Sequence, residues 1–252
     1  MTTTAPTMKR KVPGTVLVTG GSAGIGRAII ERLISDGYEV VNFDLNAPTT
    51  CLKGERYVAV DLGDSRATQA AVTKALAEGD ILRLVNNAGA VRPSLLEDAT
   101  AEDLAFVMAL NIQTPMLLMQ ALLPVMRKHQ FGRVVNIASR AALGKTERTV
   151  YSASKAGLLG MTRTWALEMG SDGITVNAIG PGPIATELFD RVNPPGAPET
   201  ERIVSSIPVR RMGTPADVAH GVVSFLDERA GFITGQVLYV CGGMTVGLGN
   251  VA

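Results

Sequence analysis

The chain has 252 residues, 46% hydrophobic and 19% charged, with 24 Lys plus Arg against 23 Asp plus Glu. That length and composition suit a single α/β domain with a sizeable core and exclude a disordered chain. A net charge of +1 offers no field for nucleic acid or an anionic membrane, and two cysteines (Cys51, Cys241) with two histidines (His129, His220) argue against a disulfide scaffold or a metal centre.

Residues 1–12 carry no apolar signal core and read as a flexible tail before a single domain over 13–252, with a cytoplasmic location expected. From there strand-like runs alternate with helical ones. TVLVTG (15–20) precedes a helix over Ile25–Ser35, YEVVNFD (38–44) is a second strand and RYVAVD (56–61) a third. ILRLVNNAG (81–89) is the fourth, followed by a long helix beginning near Ala101. GRVVNIAS (132–139) leads to a helix over Val150–Met169, GITVNAIGPG (173–182) is the sixth strand and GQVLYVCGG (235–243) the seventh. Near-continuous Val/Ile/Leu strands are those of a parallel sheet covered on both faces. The alternation predicts an α/β, Rossmann-type, doubly wound seven-stranded parallel sheet. Residues 45–55 are too few for a covering helix and predict an irregular connection.

The uncharged stretch Leu104–Met126 is long enough to cross a membrane, but Asn111, Gln113, Gln120, Pro115 and Pro124 favour a helix buried at two surfaces. Pro115 has no N–H for the Asn111 carbonyl four residues earlier, which predicts a kink there and a carbonyl open to water.

Thr19-Gly20-Gly21-Ser22-Ala23-Gly24-Ile25-Gly26 follows strand one and opens a helix, the context in which glycines let a backbone approach a pyrophosphate. Asp44, ending strand two, is the acidic residue such a loop needs about 20 residues on to hold a ribose. A carboxylate there repels a 2′-phosphate, and Ala23 supplies no counter-charge, leaving Arg27 as the one nearby basic candidate. NAD is therefore expected rather than NADP. Further on, Tyr151 and Lys155 lie four apart at a helix start, on one face. A phenol near an ammonium can exchange a proton with an alcohol or carbonyl oxygen, and Ser139, at the end of strand five, can hydrogen-bond that oxygen.

Together TGGSAGIG, Asp61-Leu62, NNAG (86–89), Asn111, Ser139, YSASK (151–155), NAIGPGPIAT (177–186) and ITGQVLYVCGG resemble the classical branch of the short-chain dehydrogenase/reductase family over residues 13–247. The resemblance implies Tyr151 as acid/base, Lys155 lowering its pKa and holding the nicotinamide ribose, Ser139 positioning the reacting oxygen, and Asn111 completing a relay through water. It implies that Gly20, Ser22, Gly24, Ile25, Gly26 and Asp44 bind the cofactor, that Asp61 and Leu62 flank adenine, and that Asn87, Ala88 and Gly89 line it. Pro181, Gly182, Ile184 and Thr186 would seat the nicotinamide amide. The reaction implied is hydride transfer between NAD(H) and a secondary alcohol or ketone, with a 3-oxoacyl-thioester reductase or a non-catalytic NAD sensor as alternatives. No metal is expected. Subunits would pair through the Leu104–Met126 helix and the helix after Tyr151, as a tetramer or dimer. Residues 187–212 are expected to form a mobile lid. Arg92, Arg140, Lys145 and Arg148 read as solvated loop charges, with contacts to an anionic substrate as the alternative.

Overall fold

The computed structural model describes residues 14–187, 189, 194 and 196–246, so the expected tail 1–12 lies outside the described residues. Its strands are β1 (Thr15–Thr19), β2 (Glu39–Asp44), β3 (Glu55–Ala59), β4 (Ile81–Asn86), β5 (Gly132–Ile137), β6 (Ile174–Pro181) and β7 (Val237–Val240). All pair in parallel, in the order β3-β2-β1-β4-β5-β6-β7. The order reverses beside β1, and the crevice at the carboxyl ends of β1 and β4 is where an open α/β sheet receives ligands.

Successive side chains of a strand face opposite sides, so each strand serves two cores. Val16 and Val18 of β1 pack with Ile29, Ile30 and Leu33 of α1 (Gly24–Ser35) and with the helix Pro215–Leu226. Leu17 faces the other way, toward α2 (Ser65–Ala77) and the long helices that follow. Both faces are covered, as the apolar strands require.

The long apolar helix has three parts: α3 (Ala101–Met108), a π-helical turn over Ala109–Gln113, and α4 (Thr114–His129). The departure from α geometry falls immediately before Pro115, and the Thr114 N–H reaches back five residues to the Ala109 carbonyl. By length and composition this helix is apolar enough to span a membrane. Here Leu118, Leu122 and Met126 are buried in the sheet core instead. α5 (Thr149–Met169), α6 (Pro198–Ser206) and α7 (Pro215–Leu226) complete the layers.

Most strand boundaries differ from the sequence reading by a residue or two, and two differ by more. β4 stops at Asn86 instead of residue 89, because Asn87 and Ala88 turn to bond Thr19. β7 occupies only 237–240 of 235–243, since Gly235, Gly242 and Gly243 take positive φ. Within the expected lid 187–212, Pro198 at the first turn, with Glu199 and Glu201 beside it, starts α6. Residues 188, 190–193 and 195 of that lid lie outside the described residues. The 45–54 connection contains no helix, as its length requires.

Candidate active site

Two clusters meet at the carboxyl ends of the central strands. The first is the glycine loop. Gly20 (φ +66°) and Gly24 (φ +55°) take left-handed conformations that favour glycine. A Cβ on Gly26 would stand 2.0 Å from the Gly20 carbonyl oxygen, so α1 closes on the loop only without a side chain there. At Ala23 α1 starts with no side-chain cap, and its first turn, which includes Ile25, holds no acidic residue. Unclaimed N–H groups at a helix start fit a diphosphate.

Asp44 accepts the Ser22 N–H on Oδ2 (2.9 Å) and the Asn46 N–H on Oδ1 (3.1 Å), which fixes its carboxylate beside the loop. Arg27 is not a spare cation for a 2′-phosphate. Its two terminal nitrogens each donate to Glu55, both at 3.0 Å. Glu55 also accepts from Asn42 Nδ2 (2.9 Å) and the Leu52 N–H (3.0 Å). Asn42 in turn accepts the Gly21 N–H (3.0 Å) and donates to Ser22 Oγ (3.2 Å). Burial alone would raise the Glu55 carboxyl, yet the bonds from Arg27, Leu52 and Asn42 bring it below its ordinary value. Neither Asn42 nor Glu55 was flagged by the motifs. A polar residue inside the apolar run VVNFD was the available signal.

Asn87 gives its amide protons to the Thr19 and Gly20 carbonyls, both at 2.9 Å, so its side chain braces the glycine turn. Thr19 Oγ1 accepts the N–H groups of Asn87 and Ala88. Asp61 is exposed with Oδ1 on the Gly63 N–H, while Leu62 is buried, its carbonyl accepting the Thr114 hydroxyl.

The second cluster surrounds Tyr151. Lys155, one turn on, is buried and donates from Nζ to the Ile137 carbonyl at 2.8 Å, lying 5.7 Å from the Tyr151 ring centre. Ser139, just beyond β5, accepts the Ala141 N–H and lies close enough to the Tyr151 hydroxyl to favour its ionised form. Asn111, buried in the π turn, is fully engaged: Oδ1 takes the Ala90 N–H, and Nδ2 donates to the Ala90 carbonyl and Ser154 Oγ. Ser154 donates to the Tyr151 carbonyl at 2.8 Å, a link that sequence spacing did not reveal. Gly89 sits between the parts: a Cβ there would stand 3.1 Å from Asn111 Oδ1 and 3.3 Å from Lys155 Nζ. From the far side, Pro181 ends β6, Gly182 bonds the Val240 carbonyl, and Ile184 bridges to Gly213. Thr186 reaches over the start of α1, 3.6 Å from where a Gly24 Cβ would be. The two clusters therefore face one cleft.

Burial pushes the Tyr151 phenol up, against the Ser139 hydrogen bond and the charge of Arg148, which lower it. The expected net lowering of the phenol by Lys155 is thus corrected. The desolvation that raises the phenol also drives the Lys155 ammonium down, to about 8. Of the loop cations, Arg92 stacks on Phe106 and pairs with Asp103. Burial and the charges of Arg148 and Arg140 lower the Lys145 ammonium, so these three lie close enough to repel.

An uncapped helix start and a partly exposed Ser139–Tyr151 pair backed by a buried Lys155, both at the carboxyl ends of a Rossmann-type sheet, suit an oxidoreductase, and the chain belongs to the short-chain dehydrogenase/reductase family. A family model described as enoyl-(acyl carrier protein) reductase matches residues 20–245. The chain is 37% identical over 242 residues to (2S)-((R)-hydroxy(phenyl)methyl)succinyl-CoA dehydrogenase subunit BbsD of Thauera aromatica, covering 91% of this chain and 96% of that one. It is 40% identical over 234 residues to an acetoacetyl-CoA reductase of Rhizobium meliloti, covering 90% and 96%. The solved structure of ElxO with NADP bound is similar at a TM-score of 0.87 and 28% identity, covering 93% of this chain and 99% of that one. The protein is an enzyme of small-molecule oxidation and reduction that uses a nicotinamide dinucleotide, NAD or NADP.

Proposed function

We propose that this enzyme interconverts a secondary alcohol and a ketone with NAD, using Tyr151 as acid/base. The observation that carries the reading is the Tyr151 hydroxyl beside Ser139, with the Lys155 ammonium buried one turn away and bonded to the Ile137 carbonyl. A bound nicotinamide supplies or accepts the hydride. In reduction the Tyr151 O–H bond breaks and its proton passes to the substrate oxygen, forming the alcohol O–H and leaving a phenolate. Ser139 donates to and orients the substrate oxygen, and the nearby positive charge of Lys155 stabilises the phenolate. Oxidation runs the same transfer backwards. Lys155 gives one of its three protons to Ile137, which leaves donors for the ribose hydroxyls and for water. The side chain of Asn111, bound to Ala90 and Ser154, positions the Tyr151 turn. The water relay would then run through its main-chain carbonyl.

Gly20, Ser22, Gly24, Ile25 and Gly26 would receive the diphosphate, and Asp44 the adenosine ribose. Asp61, Leu62, Asn87, Ala88 and Gly89 would border the adenine and the inner ribose, and Pro181, Gly182, Ile184 and Thr186 the amide. Preference for NAD is supported by the Asp44 carboxylate at the ribose end and by the capture of Arg27 by Glu55. A second reading, a 3-oxoacyl thioester as the ketone, is favoured by the acetoacetyl-CoA reductase likeness and by Arg140, Lys145 and Arg148 near Tyr151.

The same reading makes the enzyme a cytoplasmic homo-oligomer, tetramer or dimer. It is supported by exposed Leu104, Phe106 and Met116 on the long helix and Leu167 on α5. A panel of alcohols, ketones and 3-oxoacyl-CoA thioesters assayed with both cofactors tests the reaction. Turnover of a secondary alcohol or ketone with higher kcat/KM for NAD is the expected result. No turnover of any of them, or a clear preference for NADP, contradicts it.

A further inference from the structure

Glu55 stands at the first position of β3, where the connection from β2 is too short for a helix. Its side chain has no exposed surface, and it gathers that connection around itself: the Leu52 N–H and Asn42 Nδ2 donate to the carboxylate, and Cys51 Sγ bonds the Glu55 carbonyl. The carboxylate also takes both ends of the Arg27 fork, a bidentate pair with Arg27 only 16% exposed. Glu31, the other carboxylate at Arg27, lies 3.4 Å from Nε and is itself 58% exposed, a weaker competitor.

These bonds have two effects at the adenosine end. Arg27 is held away from Ser22, with the Glu55 carboxylate and the Asn42 amide between them, and the Ser22 N–H is bonded to Asp44. Asn42 is also fixed with its nitrogen toward Glu55 and Ser22 and its oxygen toward the Gly21 N–H. Since Ser22 Oγ accepts from Asn42, its own proton points elsewhere, available to a ribose hydroxyl or a phosphate oxygen.

We infer that Glu55 is a cofactor-specificity residue: it withholds the Arg27 guanidinium from the ribose end of the pocket and orients Asn42 and Ser22 for an unphosphorylated ribose. This rests on the reading that a nicotinamide dinucleotide lies with its adenosine ribose at Asp44. A carboxylate at the end of β2 opposes a 2′-phosphate directly. Glu55 acts at one remove, by occupying the cation that would otherwise reward it.

The test is the dissociation constants of NAD and NADP, measured by calorimetry, for the wild type, Glu55→Gln, Arg27→Ala and the double variant. Glu55→Gln keeps the shape and a hydrogen-bonding oxygen while removing the charge that holds the Arg27 fork. It should shift the NAD:NADP affinity ratio toward NADP by roughly tenfold, the scale of one charge-assisted hydrogen bond. Adding Arg27→Ala should abolish the shift. Melting temperatures establish that each variant is folded, and should Glu55→Gln fail to fold, Glu55→Asp, which shortens the reach to Arg27, should show a smaller shift in the same direction. An unchanged ratio in a folded Glu55 variant, or a shift that persists without Arg27, overturns the inference and leaves the NAD reading standing. A wild-type preference for NADP overturns both.

Discussion

The two ends of the sheet each bury cations, and they use them differently. At the amino ends, Arg83 of β4 and Arg133 of β5 lie side by side in register. Arg133 is buried, and every one of its nitrogens donates to a main-chain carbonyl, those of Gly132, Gly173, Asp227 and Glu228. Arg83 bonds the Leu226 carbonyl, and the two guanidiniums stack on Tyr38 and Phe131. They close the carbonyl end of α7, where positive charge also suits the helix dipole. At the carboxyl ends, Lys155 is equally buried but bonds one carbonyl. Burial depresses the pKa of all three, so depression alone does not mark a reactive group. Unused hydrogen-bonding capacity facing a cleft does.

That difference can be sharpened by substitution. The largest effect is expected for Tyr151→Phe, which keeps the ring and removes the proton. Turnover should fall by at least about 10²-fold, with NAD binding by calorimetry retained. Near-normal turnover would assign the chemistry elsewhere. Next is Arg133→Met, which strips donors from carbonyls at the closed end. Chemical denaturation should show a loss of about 2–4 kcal/mol. An unchanged midpoint would mean that water replaces the guanidinium without loss.

A smaller effect appears with pH. Lys155 releases its proton at about 8 in the folded chain against an ordinary 10.5. Between those values the unfolded chain binds more protons, so this residue makes stability rise with pH across that window. Denaturation of the wild type minus that of Lys155→Met should show the rise, and a flat difference would place Lys155 in water. Smallest is Asp44→Ala, which should narrow the NAD over NADP ratio of kcat/KM while leaving kcat with NAD within a few-fold. A ratio that does not move would remove Asp44 from the ribose site.

What could be read in the sequence was local. The glycine loop and the Tyr151–Lys155 spacing each sit within one strand-turn-helix or one helical turn, so spacing alone places them on a face. The strand alternation likewise gave the sheet, and the short 45–55 segment gave its missing helix. The Glu55–Arg27–Asn42 network could not be read that way, because it joins residues 28 and 13 apart across three elements through side-chain geometry. Arg83 and Arg133 were equally silent. An arginine in an apolar strand has no motif, and its partners are carbonyls that any residue could supply. The phenol's raised pKa was hidden for a similar reason: burial is set by side chains far apart in the sequence, not by spacing.

Lys155 and Arg133 are equally buried cations with different tasks. Turnover per folded molecule, measured for Lys155→Met and Arg133→Met under conditions where both are native by circular dichroism, tests this most directly. Lys155→Met should lose at least about 10²-fold in kcat while melting no lower than the wild type, and Arg133→Met should keep kcat within a few-fold. Equal losses of turnover in the two variants would contradict the division of the sheet into a reactive end and a closed one.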